Sequence, residues 1–260
     1  STDEWFRPVF VTNAPDGALY VVDMHRGMIE GYRSITTYLR DQILQRGLNR
    51  PLSGLGRIYR VVYPSRPLAP RADFEAASPD RLVALLDDAN GWTRDEAQRR
   101  IVESDRRNEL VPRLRDALQR GATARRRIYA LWCLEGRDAF TPRDFATALR
   151  DPDSQVRIAA LRAGESMLGH PEGEPALRQL AAAVESEDPI VLAQLALSLG
   201  VNGSAAAREI EGMLLARAPE HPALLDSVLL LCRDRYADVL GRLVVAARGQ
   251  ALPLFGGRAL

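Results

Sequence analysis

Apolar residues follow two different spacings along the chain, and the change between them divides it into two regions. Near the N-terminus, residues 8–12 (PVFVT) and 18–23 (ALYVVD) are β-branched or aromatic, which favours β-strands. Between them, residues 14–17 (APDG) have the composition of a tight turn, in which Gly17 can take a positive φ. The pattern therefore predicts a β-hairpin.

A third strand and an inserted helix complete the N-terminal region, residues 1–65. Residues 56–63 (GRIYRVVY) alternate arginine with apolar residues, which suits a half-exposed strand. Residues 36–47 predict a helix, because threonine can cap its start, apolar residues share one face and glycine can end it. Three strands do not form a stable sheet alone, so we expect them to need neighbours that this sequence does not contain.

After a proline-rich linker at residues 66–77, apolar positions recur at helical spacing. Helix pairs follow one another at a period of roughly 30 to 35 residues, which is typical of helical repeats. The second helix of each pair carries a recurring pattern, clearest as DPDSQVRIAAL; its copies are residues 93–97, 126–131, 151–161, 188–196 and 221–228. We predict about five pairs over residues 78–249, with a last unpaired helix at 236–247 and a tail at 250–260.

Local signals agree with this interpretation. Ser78 and Thr141 each place a capping hydroxyl before a proline, which marks a helix start. Small alanines at equivalent positions let adjacent helices approach closely: Ala97, Ala130, Ala160 and Ala196. The predicted fold is mainly α, a HEAT-like α-solenoid preceded by a small β segment.

Composition excludes several classes of protein. The formal net charge of +1 argues against a dedicated nucleic-acid binder, although all 35 basic residues are arginine. No apolar run approaches the roughly 18 residues of a membrane span, and the N-terminus carries no signal peptide. Its first residues suggest a start inside a longer protein. Cys133 and Cys232 have apolar neighbours and are expected to be buried thiols.

Residues 5–63 resemble a known family. RPVFVTNAPDGALYVVD followed by GRIYRVV resembles the last blade of β-propellers of the glucose/sorbosone dehydrogenase type. The longer signature, which continues through YLRDQILQRGLNRPLSGLGRIYRVVYPS, is similar to large multidomain dehydrogenases of planctomycetes and verrucomicrobia. In these proteins HEAT-like repeats and commonly a cytochrome c domain follow the propeller. The resemblance implies that the other blades lie upstream.

The resemblance also implies an oxidoreductase. Quinoprotein sugar dehydrogenases use a histidine base and pyrroloquinoline quinone, often with calcium nearby, but that base maps onto no position here. We therefore expect no cofactor in this chain, while pyrroloquinoline quinone and haem c are candidates for the parent protein. The family implies a periplasmic or cell-envelope location.

Asp23, His25 and Arg26 are the candidate ligand-binding residues. Asp23 ends the second strand, and His25 and Arg26 follow it directly, where the loops of a propeller gather around a central site; the three residues could contact a sugar or a quinone. The alternative is structural: Asp23 and Arg26 pin the inserted loop, and His25 is an ordinary loop residue.

Other polar residues favour structural roles. Asp16 offers one carboxylate, whereas calcium needs six or more oxygens, so a turn is preferred. His170 and His221 lack a second ligand at metal spacing, and Trp92 and Trp132 are expected to pack in a core. No nucleophile, nucleotide-binding or zinc-peptidase motif occurs, so no catalytic or metal-binding residue is predicted.

Two functions remain open. In the first, the chain is the C-terminal region of a propeller-type dehydrogenase, whose helical repeats dock or space an electron acceptor such as a cytochrome. In the second, the chain is a non-enzymatic repeat scaffold that binds a protein partner.

Overall fold

The computed structural model describes residues 2–29, 31, 34–49, 54–65, 67–168, 173–184, 187–200, 205–231, 237 and 241. The described chain is mainly helical with a small antiparallel sheet near its N-terminus, which confirms the predicted class at that level. His170, Cys232, the tail and, apart from two residues, the predicted helix at 236–247 lie outside the described residues.

The chain forms two compact units. The first, the sheet unit, comprises Ser1–Ala77 and Asp88–Ala97; the second, the helical unit, comprises Ser78–Asp87 and Gln98–Leu260. The residues predicted as a linker pack with the sheet unit, as does the segment around Asn90. The Asn90 side-chain amide donates hydrogen bonds to the carbonyls of Ala14 (2.8 Å) and Pro15 (3.3 Å).

The sheet contains β1 (Pro8–Asn13), β2 (Leu19–Asp23) and β3 (Arg57–Val61), in that spatial order and with antiparallel neighbours. The predicted hairpin is confirmed. The Gly17 N–H donates to the Ala14 carbonyl at 2.9 Å, and Gly17 has a φ of +78°. This is a three-residue loop in which glycine takes the left-handed position.

The inserted helix is α1 (Thr37–Gln45), within the range that the sequence predicts. The hydroxyl of Thr36 accepts the Leu39 N–H at 3.4 Å, and Gly47 takes a φ of +65° after the helix ends. None of the residues of α1 is buried; Leu39 and Leu44 are each 49% exposed. The apolar face of α1 is therefore left largely uncovered within the sheet unit.

Eleven further helices occur among the described residues: α2 (Pro79–Leu85), α3 (Gly91–Glu103), α4 (Arg107–Arg120), α5 (Ala124–Glu135), α6 (Pro142–Ala148), α7 (Ser154–Ala163), α8 (Glu165–Leu168), α9 (Glu174–Ala183), α10 (Pro189–Leu199), α11 (Ala205–Arg217) and α12 (Pro222–Leu231). The predicted starts are confirmed. Ser78 caps α2, and Thr141 forms a reciprocal capping box with Asp144 at the start of α6.

The helices of the helical unit pack in two successions. The first members of the pairs contact one another in the order α2, α4, α6, α9, α11, and the second members in the order α5, α7, α10, α12. The contacts between successive pairs bury a shared apolar core that includes Leu110, Leu131, Leu161 and Leu177. Each pair thus uses its neighbours to cover apolar surface.

One arginine contact recurs near the start of successive second helices. Arg94, Arg127 and Arg157 each donate a hydrogen bond to the carbonyl six residues earlier, at 2.6 to 2.8 Å. Arg127 also forms a bidentate ion pair with Asp151 (2.6 and 2.8 Å), and Arg157 pairs with Glu187 (2.8 Å). The pairs formed by Arg127 and Arg157 link one helix pair to the next.

We expect Arg127→Ala to destabilise the helical unit by about 3 kcal/mol, because it leaves the Asp151 carboxylate with no cation to pair with. The Arg127 and Asp151 side chains are only 13% and 8% exposed. The control is Arg120→Ala, which removes an ion pair whose side chains are 79% and 58% exposed and should cost at most about 0.5 kcal/mol. Chemical denaturation measures the free energy of unfolding of both variants. Equal losses would contradict the claim that the Arg127–Asp151 ion pair stabilises the contact between one helix pair and the next.

Candidate functional site

The carboxylate of Asp23 organises the loop that follows β2. Asp23 is 1% exposed, and its Oδ1 accepts the backbone N–H of Arg7 (2.7 Å) and of His25 (2.8 Å). Its Oδ2 lies 3.1 Å from Nδ1 of the His25 ring. One buried side chain therefore ties the segment before β1 to the loop after β2.

These contacts set the charge state of the site. Burial raises the pKa of Asp23, but the hydrogen bonds from the Arg7 and His25 N–H groups and from the His25 ring outweigh burial, so that the pKa lies below its usual value. Asp23 is consequently an anion at neutral pH. An anion here favours the imidazole tautomer that donates from Nδ1.

His25 has a backbone conformation that is uncommon for residues other than glycine. Its φ is +45°, in the left-handed region, and the residue is only 8% exposed. The ring stacks on Trp5 with centroids 6.1 Å apart, and Asp3 Oδ2 lies 4.0 Å from Nδ1. Nδ1 is the ring nitrogen that faces Asp23, whereas Nε2 has no hydrogen-bond partner among the described residues.

Gly27 is required by a close approach of two backbone segments. A Cβ at this position would lie 2.5 Å from the Leu48 carbonyl oxygen, so a larger residue would push the segments apart. The guanidinium of Arg7 donates to the Gly27 carbonyl at 3.2 Å. Arg26, by contrast, is half-buried and makes no hydrogen bond within the described part of the chain.

The structure thus brings Asp23 and His25 together, whereas Arg26 forms no hydrogen bond or ion pair with either of them. Asp23 pins the loop, as the structural alternative predicts, but Arg26 does not share that role. His25 is a buried, stacked side chain, unlike an ordinary loop residue. Trp5 and Arg7 are parts of the site that the sequence reasoning missed, because they lie 16 or more residues before the loop and carry no local motif.

The other candidates have structural environments. The Asp16 carboxylate accepts the Ala18 N–H at 3.0 Å and pairs with Arg60, which confirms a turn role. Within the described ranges, no group of three or more His, Cys, Asp or Glu side chains could hold a metal ion. Cys133 is fully buried, as predicted, and burial raises the pKa of its thiol to about 12. Trp92 and Trp132 are half-buried.

Both faces of the sheet carry exposed apolar side chains. Successive residues of a strand point to opposite faces, so the strand register separates two sets. The Phe10 face contains Phe10, Val22 and Ile58; the Val11 face contains Val11, Leu19 and Val61. Phe10 and Ile58 are 60% and 67% exposed, and Val11 and Val61 are 54% and 53% exposed. β3 is therefore more exposed than its alternating sequence indicates.

A family model described as a domain of unknown function, DUF7133, matches residues 1–65, which are a quarter of the chain and contain the whole sheet. No curated protein matches the sequence. Among the described residues, no helix combines the length and apolar character that crossing a bilayer requires.

We expect Asp23→Asn to lower the melting temperature at pH 7, because an amide cannot replace a carboxylate that accepts three hydrogen bonds. The folded-state pKa of Asp23 is depressed, so its stabilisation is present above the ordinary value near 3.8 and is lost as the pH falls through the lower value. The difference from wild type should therefore shrink below about pH 4.

Thermal denaturation between pH 7 and pH 3 measures this difference, with Asp41→Asn on the exposed surface of α1 as the control. The other carboxylates titrate equally in both proteins and cancel. A difference that stays constant over the whole range would show that Asp23 does not carry the predicted charge.

Proposed function

We propose that this chain is the C-terminal region of a propeller-type dehydrogenase. In this proposal residues 1–65 complete the last blade of the propeller, and the helix pairs form a HEAT-like solenoid that docks or spaces an electron acceptor. The observation that carries the proposal is the sheet itself, because its apolar residues are exposed on both faces.

A sheet with two apolar faces needs a neighbour on each of them. An antiparallel sheet in a layered domain commonly buries one face and leaves the other in water. A propeller blade lies between two others, so both of its faces are covered. If neighbouring blades buried Phe10 and Ile58, the free energy of burial would be about 1.5–3 kcal/mol for each side chain.

The packing of the helical unit supports the solenoid. Its helices contact their counterparts in neighbouring pairs in two parallel successions, as stacked repeats do. Within the helical unit, the arginine contact of Arg127 recurs 30 residues later at Arg157, which agrees with the predicted period.

The oxidoreductase assignment rests on the resemblance of residues 5–63. A quinoprotein must pass its electrons on, so a cytochrome domain or protein is the acceptor we propose, in the periplasm or cell envelope. Asp23 and His25 place a fixed imidazole directly after β2, where it could contact a substrate or quinone bound by the rest of the propeller. Any catalytic base belongs to other blades.

The scaffold alternative has one observation in its favour. Ile190 and Leu197 on α10 and Leu230 on α12 are 53%, 48% and 61% exposed, and α10 packs directly against α12. On α7, by contrast, the exposed residues include Gln155 and Arg162, which are polar. A partner could bind here without any chemistry in the chain.

The first test asks whether both faces of the sheet are covered in the full-length protein. We expect cysteines introduced as Ile58→Cys and Val11→Cys to react rapidly with a maleimide in the 260-residue chain and slowly in the full-length protein. Arg120→Cys on α4 is the control and should react rapidly in both. Peptide mapping separates the introduced thiols from the two native cysteines, Cys133 and Cys232. Rapid reaction of both introduced thiols in the full-length protein would rule out the blade.

The second test measures whether the full-length protein has dehydrogenase activity. We expect the full-length protein to reduce an artificial dye with sugars or alcohols as electron donors, with rates that rise on adding pyrroloquinoline quinone and calcium. The 260-residue chain, which contains only the last blade, should be inactive. If the maleimide test shows that both sheet faces are covered but the protein oxidises none of a broad panel of sugars and alcohols, the scaffold function would be favoured.

A further inference from the structure

A cleft of about 380 Å³ lies between α1 and the loop that follows β2, within the sheet unit. This volume falls in the range of small-molecule sites, about 300–1,000 Å³. Most of the side chains that line it are apolar, and they come from the loop, from α1 and from the residues on either side of α1: Met28, Ile29, Ile35, Leu39, Ile43 and Leu48. We call this concave surface the α1 cleft.

The backbone holds the two walls of the α1 cleft in place. Gly27, in the loop, approaches the Leu48 carbonyl so closely that no larger residue fits there, which fixes the loop against the segment after α1. Helical spacing puts Leu39 and Ile43 on one face of α1, above the loop. Ile29 and Leu39 remain 53% and 49% exposed, so an apolar chain that covers them gains free energy of burial.

The charge of the α1 cleft has one sign. Arg7 and Arg46 are the charged side chains among the described residues that line it. The Arg7 guanidinium donates to the carbonyls of Phe6 (3.1 Å) and Gly27 (3.2 Å) and forms no ion pair within the described part of the chain. A guanidinium has five N–H donors, so these two contacts hold it in place and leave donors for an anion.

Arg46 supplies the second cation. It pairs with Glu4, but the two side chains are 55% and 49% exposed, and such a surface pair contributes little to stability. Arg46 can therefore exchange Glu4 for a ligand anion at a small cost. The α1 cleft thus combines an apolar wall with two arginines and no acidic residue among its described lining.

We infer that the α1 cleft binds a small amphiphile with a carboxylate head and an unbranched apolar chain. The carboxylate accepts hydrogen bonds from the Arg7 guanidinium, and the chain covers Ile29 and Leu39. A cationic head is repelled by both arginines, and an uncharged head forgoes the charge-assisted hydrogen bonds. This site goes beyond the proposed dehydrogenase function and does not depend on it, since every lining residue belongs to the sheet unit.

Isothermal titration calorimetry of the 260-residue chain with decanoate tests the inference. Decanol, decyltrimethylammonium and acetate are the comparison ligands, since they change the charge of the head or remove the chain. We expect decanoate to bind at least about 10-fold more tightly than decanol, and the other two not to bind detectably. Equal affinities for decanoate and decanol, or no binding of decanoate below about 1 mM, would overturn the inference.

Two substitutions on α1 form a matched pair. Leu39 and Leu44 are each 49% exposed, but Leu39 lines the α1 cleft and Leu44 does not. Leu39→Asp places an anion inside the cleft and should weaken decanoate binding at least about 10-fold, whereas Leu44→Asp should change it less than about twofold. Equal effects of the two substitutions would contradict binding in the cleft.

A third variant examines the cation that receives the carboxylate. Arg7→Gln should weaken decanoate binding at least about 10-fold and leave decanol binding nearly unchanged, because it removes only the charge-assisted hydrogen bonds. Arg7 also holds the Gly27 carbonyl, so thermal denaturation must show that this variant still folds. A folded Arg7→Gln chain with wild-type affinity for decanoate would contradict the assigned role, and Leu39→Asp tests the cleft if Arg7→Gln does not fold.

An anionic membrane surface presents similar chemistry to arginines beside apolar side chains. Co-sedimentation of the chain with phosphatidylglycerol vesicles separates this source from a free amphiphile. We expect no sedimentation with the vesicles that Leu39→Asp abolishes. Such sedimentation, together with failure to bind decanoate, would identify a membrane contact and overturn the inference.

Discussion

The constraint on which this structure depends is that neither a single pair of helices nor a single layer of three strands can bury its own apolar side chains. In the helical unit the problem is solved internally, because each pair of helices packs against the pairs before and after it. In the sheet unit it is not, because one layer of three strands leaves apolar side chains exposed on two faces. The described helices therefore share a buried apolar core, whereas the three strands leave much of their apolar surface exposed.

Polar contacts fix the turn and the loop at the two ends of β2 in the sheet unit. Asp23 holds the backbone of Arg7 and His25, Asp16 closes the turn before β2, and Gly27 permits the close approach of Leu48. These contacts fix the loop after β2 without a large hydrophobic core. The same contacts hold the His25 ring in one orientation, between Asp23 and Trp5.

Much of this organisation could be predicted because its causes are local. A tight turn or a helix cap depends on only a few neighbouring residues. The structure has each of these features where the sequence indicates it: the turn at residues 14–17, the Thr36 cap, and the Ser78 and Thr141 caps that precede a proline. The exposure of β3 was not predictable in the same way. Alternation of arginine with apolar residues normally marks one buried face, and only the absence of a covering layer over the described sheet makes Ile58 67% exposed.

The sequence by itself determined the mainly helical class, the three strands of the small sheet and the capped helix starts, since spacing and capping are properties of neighbouring residues. The tertiary structure alone decided which residues meet across long separations: Asp23 with Arg7, Arg127 with Asp151, and Asn90 with the turn at Ala14. It also decided that Arg26 pairs with no described residue. The physical reason is that burial and ion pairing depend on the path of the whole backbone, which no local pattern encodes.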